Sequence, residues 1–400
     1  MPWYRSVGEL PPKRHTQFRR PDGGLHVEEL MGEEGFSSSS SLLYHEGDPS
    51  AITDSRVWDL PDPATVPNHP LRPRHLRMHD LCPDQGWPAA DAVTGRRTVL
   101  GNGDVRVSYV AAGRTSPLFK DAVGDEAVFV EAGRARLETV LGVLEVAPGD
   151  LVVVPRGLVH RWVVEADVPL RLFVLETSSH LRPPRRYLSE QGQFLESSPY
   201  CERDLRGPTG PLRAEGTDVD VLVRHRGSGA GDLRGTVLTM AAHPFDVVGW
   251  DGCLYPWVMS VGDFEPLTGR VHQPPPVHQV LEAAGLVVCL FVPRKVDYHP
   301  LSVPVPYHHS NVDSDEVLFY VAGDYEARKG SGIGRGSLSL HPGGHTHGPQ
   351  PGAAEASLGK ERFDETAVML DTFRPLELAA AAAEVEDPSY PWSWSGRGPS

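Results

Sequence analysis

Cysteine is scarce and scattered in this chain: Cys82, Cys201, Cys253 and Cys289 are the only four in 400 residues, and no two form a C-x2-C pair. That spacing excludes a disulfide framework and a structural zinc ribbon. Cys289 lies inside the apolar run LVVCLFV and is expected as a buried free thiol. Long hydrophobic runs are missing as well. No apolar stretch approaches the ~18 residues of a membrane span, and the opening MPWYRSVG has no apolar core of signal-peptide length, so the expectation is a cytoplasmic protein with no membrane partner. Runs of positive charge are absent too. Against 53 Asp and Glu stand 38 Lys and Arg, a net charge of -15, and the clusters Lys13-Arg14, Arg19-Arg20 and Arg182 with Arg185-Arg186 are too short to line a nucleic-acid groove.

What is present is a long series of short β-type runs. The first hundred residues are rich in Pro, Gly, Ser and His, with scattered apolar residues such as Trp3, Phe18, Leu30, Leu43 and Trp58, and read as a long irregular arm packed over a core. From about residue 99 the runs VLG, VRVSYV, AVFV, ARLETVL, LVVVP and LRLFVL follow one another with Gly or Pro between them, as in a sandwich or barrel. The second half repeats the pattern with runs from Val221, Thr236, Val258, Leu286 and Val317. Near the end, LELAAAAAEVE from Leu376 predicts a short helix, and PWSWSGRGPS from Pro391 reads as a tail.

Two copies of one spacing pattern stand about 190 residues apart. Gly149-Asp150, four residues, then PRGLVH ending at His160, and Gly336-Ser337, four residues, then PGGHTH ending at His347, both match G-[DS]-x4-P-x-G-x2-H. Upstream of each, a glutamate is followed after six residues by a glycine: Glu126 with Gly133, and Glu316 with Gly323. These are the two halves of the cupin signature, and their repetition implies a mostly β, bicupin-type fold. We place the division at 266/267, an N-terminal unit with the arm and one barrel before a C-terminal unit with the second.

Chemistry is expected only in the second copy. Eight of the 18 histidines fall between His272 and His347, and HHSNVDSDE supplies His309 ahead of Glu316, whereas the equivalent FKDAVGDE from Phe119 to Glu126 has no histidine. The first site is therefore expected to be degenerate, with His160 structural. Strand periodicity puts His345 and His347 on one face; the signature's spacing selects His347. His309, Glu316 and His347 then make a two-histidine, one-carboxylate set suited to mononuclear iron(II), with open positions for a chelating substrate and dioxygen. Asp313 and Asp315 are expected as loop or capping residues, and His308 points away from the site. His341 and His345 remain candidates for the pocket wall.

Beyond these motifs, the chain resembles homogentisate 1,2-dioxygenases of bacterial type. The likeness is carried by KRHTQFRRPDGGL from Lys13, EELMGEEGF from Glu28, HPFDVVGWDG from His243, PVPYHHSN from Pro304 and GDYE from Gly323. It implies an oxidoreductase that uses Fe(II) and O2 to open homogentisate to maleylacetoacetate in tyrosine and phenylalanine breakdown, assembled as a homo-oligomer, trimer or hexamer. It also implies His309, Glu316 and His347 as ligands, His272 as the acid/base histidine, Tyr325 as a substrate contact, and His347 and His341 facing the substrate. His278 lies close to His272 in HQPPPVH and competes for the acid/base role. The interval from His309 to Glu316 is one residue longer than in animal-type members. Three alternatives stay open. A gentisate-type cupin commonly relies on three histidines, a non-enzymatic bicupin loses its ligands in both halves, and a sugar-phosphate isomerase needs a basic pocket.

Overall fold

Runs such as AVFV at 127–130 and LRLFVL at 170–175 are apolar at every position rather than at alternate ones, and a strand of that kind needs cover on both faces. The computed structural model describes residues 3–396 apart from 61–63, 84–86, 166–167, 229–231, 267 and 269–277. It shows where the cover comes from. A nine-stranded sheet is built around Asp150–Val154, Glu126–Ala132, Leu170–Thr177, Val105–Ala112 and Arg97–Gly101. On one face it shares a core with a seven-stranded sheet, and on the other with a six-stranded sheet. Within Glu126–Ala132, Val128 and Val130 join Leu137, Trp162 and Trp250 on the first face, while Ala127 and Phe129 join Val317, Phe319 and Leu370 on the second. At this seam Phe173 and Phe319 stack with ring centres 4.6 Å apart and planes 6° from parallel.

One carboxylate is spent on the same seam. The Glu131 side chain is fully buried and accepts from Tyr109 Oη at 2.6 Å, and it pairs with His79 Nε2 at 2.8 Å and Arg335 Nε at 3.2 Å. A buried charge is tolerated when it is paired and hydrogen-bonded in this way.

The chain is mostly β and bicupin in architecture, with the short helix Ala380–Val385 in the alanine-rich segment. Sequence order and spatial order differ in one respect. The runs at Val221 and Val258 continue the second-half series in sequence but precede the 266/267 division, and in space Thr217–Arg226 lies parallel to Leu118–Asp121 while Trp257–Ser260 pairs with Asp150–Val154. Thr217–Arg226 also pairs with Leu233–Ala242, which brings the run at Thr236 with it. Repeat spacing reveals that a strand exists; it does not reveal which edge the strand joins. Two strands also cross between the halves. Arg74–Arg77 edges the six-stranded sheet beside Ser337–His341, and Glu377–Ala379 sits between Arg97–Gly101 and Thr65–Pro67 in the nine-stranded one.

The first hundred residues cover the core as expected, and they do so as strands. Arg5–Gly8, Val27–Gly32 and Ser40–His45 form a four-stranded sheet with Val247–Gly252, and Ile52–Trp58 edges the seven-stranded sheet. His45 pins this sheet. Its buried ring places Nδ1 2.6 Å from Asp246 Oδ1 and Nε2 3.0 Å from Glu29 Oε2. Burial opposes protonation, but the two carboxylates overcome it and raise the pKa to about 9. A histidine whose folded pKa lies above its unfolded value near 6.5 stabilises the fold fully below pH 6.5, and that contribution is lost as pH rises through 9. Urea midpoints measured from pH 6.5 to 9.5 should therefore fall more steeply for the parent than for His45→Gln. Parallel curves for the two proteins would remove His45 as the cause.

Candidate metal centre

Strand Asp315–Ala322 runs between Thr366–Thr372 and Ser337–His341, with Glu316 opposite both Asp371 and His341. Alternation sends Val317 and Phe319 to the seam and leaves Glu316 on the inner face with Leu318 and Tyr320. The turn after His341 is held by Gly343 N–H donating to Asp315 Oδ1 at 2.7 Å and Gly344 N–H donating to the Asn311 carbonyl at 2.7 Å. It delivers His347 opposite His309, where the two backbones exchange hydrogen bonds of 2.8 and 2.9 Å. Glu316 Oε1 then stands 3.2 Å from His347 Nε2, and Oε2 stands 3.4 Å from His309 Nε2. His347 and Glu316 are sealed from solvent, while the His309 side chain is one-third exposed at 34%. The three expected ligands are brought together, with one open side.

This donor set fits a divalent metal. His347 Nδ1 lies 3.1 Å from the His345 carbonyl oxygen, which accepts and so fixes the proton on Nδ1. Nε2 then faces the carboxylate as a lone pair, a contact that a cation between them relieves. Donors about 2.1 Å from a metal and at right angles stand about 3.0 Å apart, close to the separations found here. Burial works against ionisation of Glu316, yet its close contacts with His309, His341 and His347 hold its carboxyl well below the ordinary range.

Around the three ligands are residues with other duties. His341 is fully buried between Glu316 Oε1, 3.0 Å from Nδ1, and Tyr390 Oη, 2.9 Å from Nε2, and its ring stacks on His347 at 4.0 Å. Both its nitrogens are committed, which leaves none for a substrate in this arrangement. Asp315 is a loop-pinning residue: its two oxygens accept from Gly343 N–H and Leu376 N–H, each at 2.7 Å. His308 is exposed. Sequence reasoning missed Asp371, which accepts from Asn311 Nδ2 at 3.2 Å and whose pKa is raised to about 8 by burial and then by Glu316 and Asp313. The signal was there, since period two along Ala367, Met369 and Asp371 puts a lone acid on an otherwise apolar inner face.

The first cupin copy shows the same scaffold with different occupants. His160 bridges to Phe119 as His347 bridges to His309, and Phe119 precedes Glu126 by the same seven positions that separate His309 from Glu316. His160 Nδ1 again meets the carbonyl two residues back, at 3.0 Å from Leu158, and its buried Nε2 has no partner. Glu126 is neutralised from within the fold. Arg96 binds both its oxygens at 2.7 and 3.0 Å, and Arg224 reaches it at 3.4 Å while also pairing with Asp121 and Glu176. Both guanidiniums lie over the Phe119 ring, at 5.8 and 5.6 Å. A third group of donors, Glu33, Asp125 and His180, also converges, but Arg182 already pairs with Glu33 at 3.1 Å.

The remaining expected residues are placed as follows. Tyr325 adopts a left-handed backbone with φ of +42°, is buried edge-on to Tyr320 at 5.0 Å, and keeps its hydroxyl buried without a hydrogen-bond partner. His278 is buried against Phe291 at 4.5 Å, with an unpartnered Nδ1 and a pKa pushed down to about 3 by burial and Arg294. His272 lies outside the described residues.

Comparison with known proteins shows what the chain is similar to. A family model described as "Cupin domain" matches residues 106–176, and one described as "Homogentisate 1,2-dioxygenase C-terminal" matches residues 272–397. A Saccharolobus solfataricus protein named "Putative dioxygenase" is 38% identical over 98% of this chain and 99% of its own length. Homogentisate 1,2-dioxygenase of Sinorhizobium fredii is 27% identical, and that of Rhodopseudomonas palustris 28%, each over 97% of this chain and 90% of its own length. Among solved structures, a cupin 2 conserved barrel domain protein from Leptotrichia buccalis aligns at 9% identity with a TM-score of 0.37, covering 75% of this chain and 96% of its own.

Anaerobic loading with Fe(II), desalting and metal analysis should return one equivalent per chain. His347→Ala should abolish it and Glu316→Gln should weaken it, because an anionic oxygen ligand becomes a neutral amide. His160→Ala should leave it unchanged. Asp315→Asn should keep the metal but lower the thermal midpoint, since an amide has one acceptor oxygen for two backbone donors. Metal lost with His160→Ala and kept with His347→Ala would overturn the placement.

Proposed function

Because the chain belongs to the homogentisate 1,2-dioxygenase family, we propose that it is an Fe(II)-dependent dioxygenase that opens homogentisate to 4-maleylacetoacetate in tyrosine and phenylalanine catabolism. The observation that supports this most is the sealed carboxylate of Glu316 between His309 and His347, open to one side only. Both atoms of O2 enter the ring-opened product, so the reaction needs no external reductant.

His309, Glu316 and His347 would hold the iron. When bound, the metal supplies the electron transfer between an electron-rich ring and dioxygen that no side chain performs. The chain's own residues do the rest. His272 takes the proton of the metal-binding phenol, the role the family resemblance gives it, and a histidine's ordinary pKa suits that task. The buried Tyr325 hydroxyl, which has no protein partner, is available to the second ring hydroxyl and would orient the ring for cleavage. His341 holds Glu316 from behind rather than meeting the substrate. His278, buried and held neutral, packs the wall.

The second reading is a related hydroquinone acid, gentisate among them. It is favoured by one observation, that the 38% identical relative bears a name without a substrate. Assembly as a trimer or hexamer, and the division at 266/267, belong to the same proposal. No helix among the described residues is long and apolar enough to cross a membrane.

Oxygen uptake by the iron-loaded protein over homogentisate, gentisate and 3-hydroxyanthranilate should be fastest with homogentisate, and a clear preference for gentisate would transfer the reading to that substrate. His272→Ala should bind iron and substrate but lose on the order of 100-fold in turnover, as removal of a positioned proton acceptor does. His278→Ala should lose far less. An active His272→Ala beside a crippled His278→Ala would exchange their roles.

A further inference from the structure

The segment after the last helix, expected as a tail, runs beneath the metal centre. Tyr390, in the single turn Tyr390–Trp392, is completely buried with its hydroxyl 2.9 Å from His341 Nε2. Trp394 packs edge-on to both rings, 6.4 Å from His341 and 5.3 Å from Tyr390, and its Nε1–H donates to the Gly348 carbonyl at 3.1 Å. Gln350 Nε2 donates to Ser393 Oγ at 2.9 Å. One short stretch therefore grips both the histidine behind Glu316 and the chain that leaves His347.

The hydrogen-bond directions follow from which groups can donate. An ionised Glu316 only accepts, so His341 must carry its proton on Nδ1 to satisfy the 3.0 Å contact with Oε1. A neutral imidazole protonated there has a bare Nε2, and the Tyr390 O–H is the donor facing it. Donation thus runs one way, from Tyr390 to His341 to Glu316. We propose that Tyr390 is a positioning residue of the metal centre: its O–H fixes the His341 tautomer that holds Glu316 Oε1 and aims the carboxylate between His309 and His347. Without that O–H the other tautomer becomes available, and it turns a lone pair toward Glu316 and releases the carboxylate. A partner hydrogen-bonded directly to a ligand, as His341 is to Glu316, typically changes metal affinity by about 10- to 100-fold, and Tyr390 acts through that partner. The inference rests on the metal-centre reading and is independent of which ring is cleaved.

Tyr390→Phe removes a single oxygen and keeps the ring, and Co(II) binding to the metal-free full-length protein reports on the site without any substrate. The Co(II) dissociation constant should rise by about 10-fold or more, with a shifted ligand-field spectrum and little change in the metal-free unfolding midpoint. Trp394→Phe, which trims the packing but keeps the hydroxyl, should lower that midpoint while holding Co(II) within about 2-fold of the parent, well below the 10- to 100-fold range expected for loss of an outer-shell partner. Parent-like Co(II) affinity and spectrum in Tyr390→Phe would overturn the proposal. So would equal weakening by the two variants, since the segment would then act by packing alone. Weakened Co(II) binding in Tyr390→Phe, beside a parent that takes up no oxygen with homogentisate, would uphold Tyr390 and remove only the substrate reading.

Discussion

A carboxylate sealed from water has to be neutralised by something the fold supplies or something it admits, because an unpaired buried charge costs several kcal/mol. The two cupin copies answer this constraint in opposite ways on one scaffold. Glu126 is closed off by Arg96 and Arg224, whose guanidiniums lie over Phe119. Glu316 meets imidazole nitrogens instead, with His309 standing at the position that Phe119 takes in the first copy. In one half the carboxylate sits in an internal ion-pair cluster; in the other it sits among imidazoles, in a donor set that fits a cation. The contrast between the two donor sets follows from that difference.

The β-architecture makes the arrangement possible by giving each strand two different tasks. On Asp315–Ala322 the residues facing the nine-stranded sheet are apolar and bind the halves together, while the alternate residues carry the ligand and the inner wall. Backbone shape contributes at the glycines that follow each glutamate. Gly133 and Gly323 both have positive φ, at +80° and +103°, and a Cβ would strike the Pro169 carbonyl oxygen in one half and the Asp364 carbonyl oxygen in the other. This is the physical reason for the glycine in the spacing pattern, and it explains why counting back from it selects Glu316 over Asp313 and Asp315.

Legibility in the sequence followed the range of the interactions. The strand runs and the convergence of His309, Glu316 and His347 were readable because local spacing fixes a turn and alternation fixes a face. Contacts between distant segments were not. Nothing near Tyr390 or Trp394 announces a partner at His341 or Gly348, and the strand Ile52–Trp58 is exposed at nearly every position, so its sequence carries no alternation to read. Asp315 illustrates the middle case. Its neighbourhood suggested a loop residue, but only the structure shows that one carboxylate ties the turn after His341 to Leu376.

The crossing strands set a schedule on the birth of the molecule. Gly101 meets its neighbour Glu377 about 280 residues later in the chain, and Arg74–Arg77 waits for Ser337–His341. A ribosome that has released the whole first barrel has therefore still left one of its sheet edges bare, and edges of that kind recruit other chains when they persist. The C-terminal segment is thus the closing stitch of both halves. A chain stopping short of it would present unpaired backbone along those sheet edges.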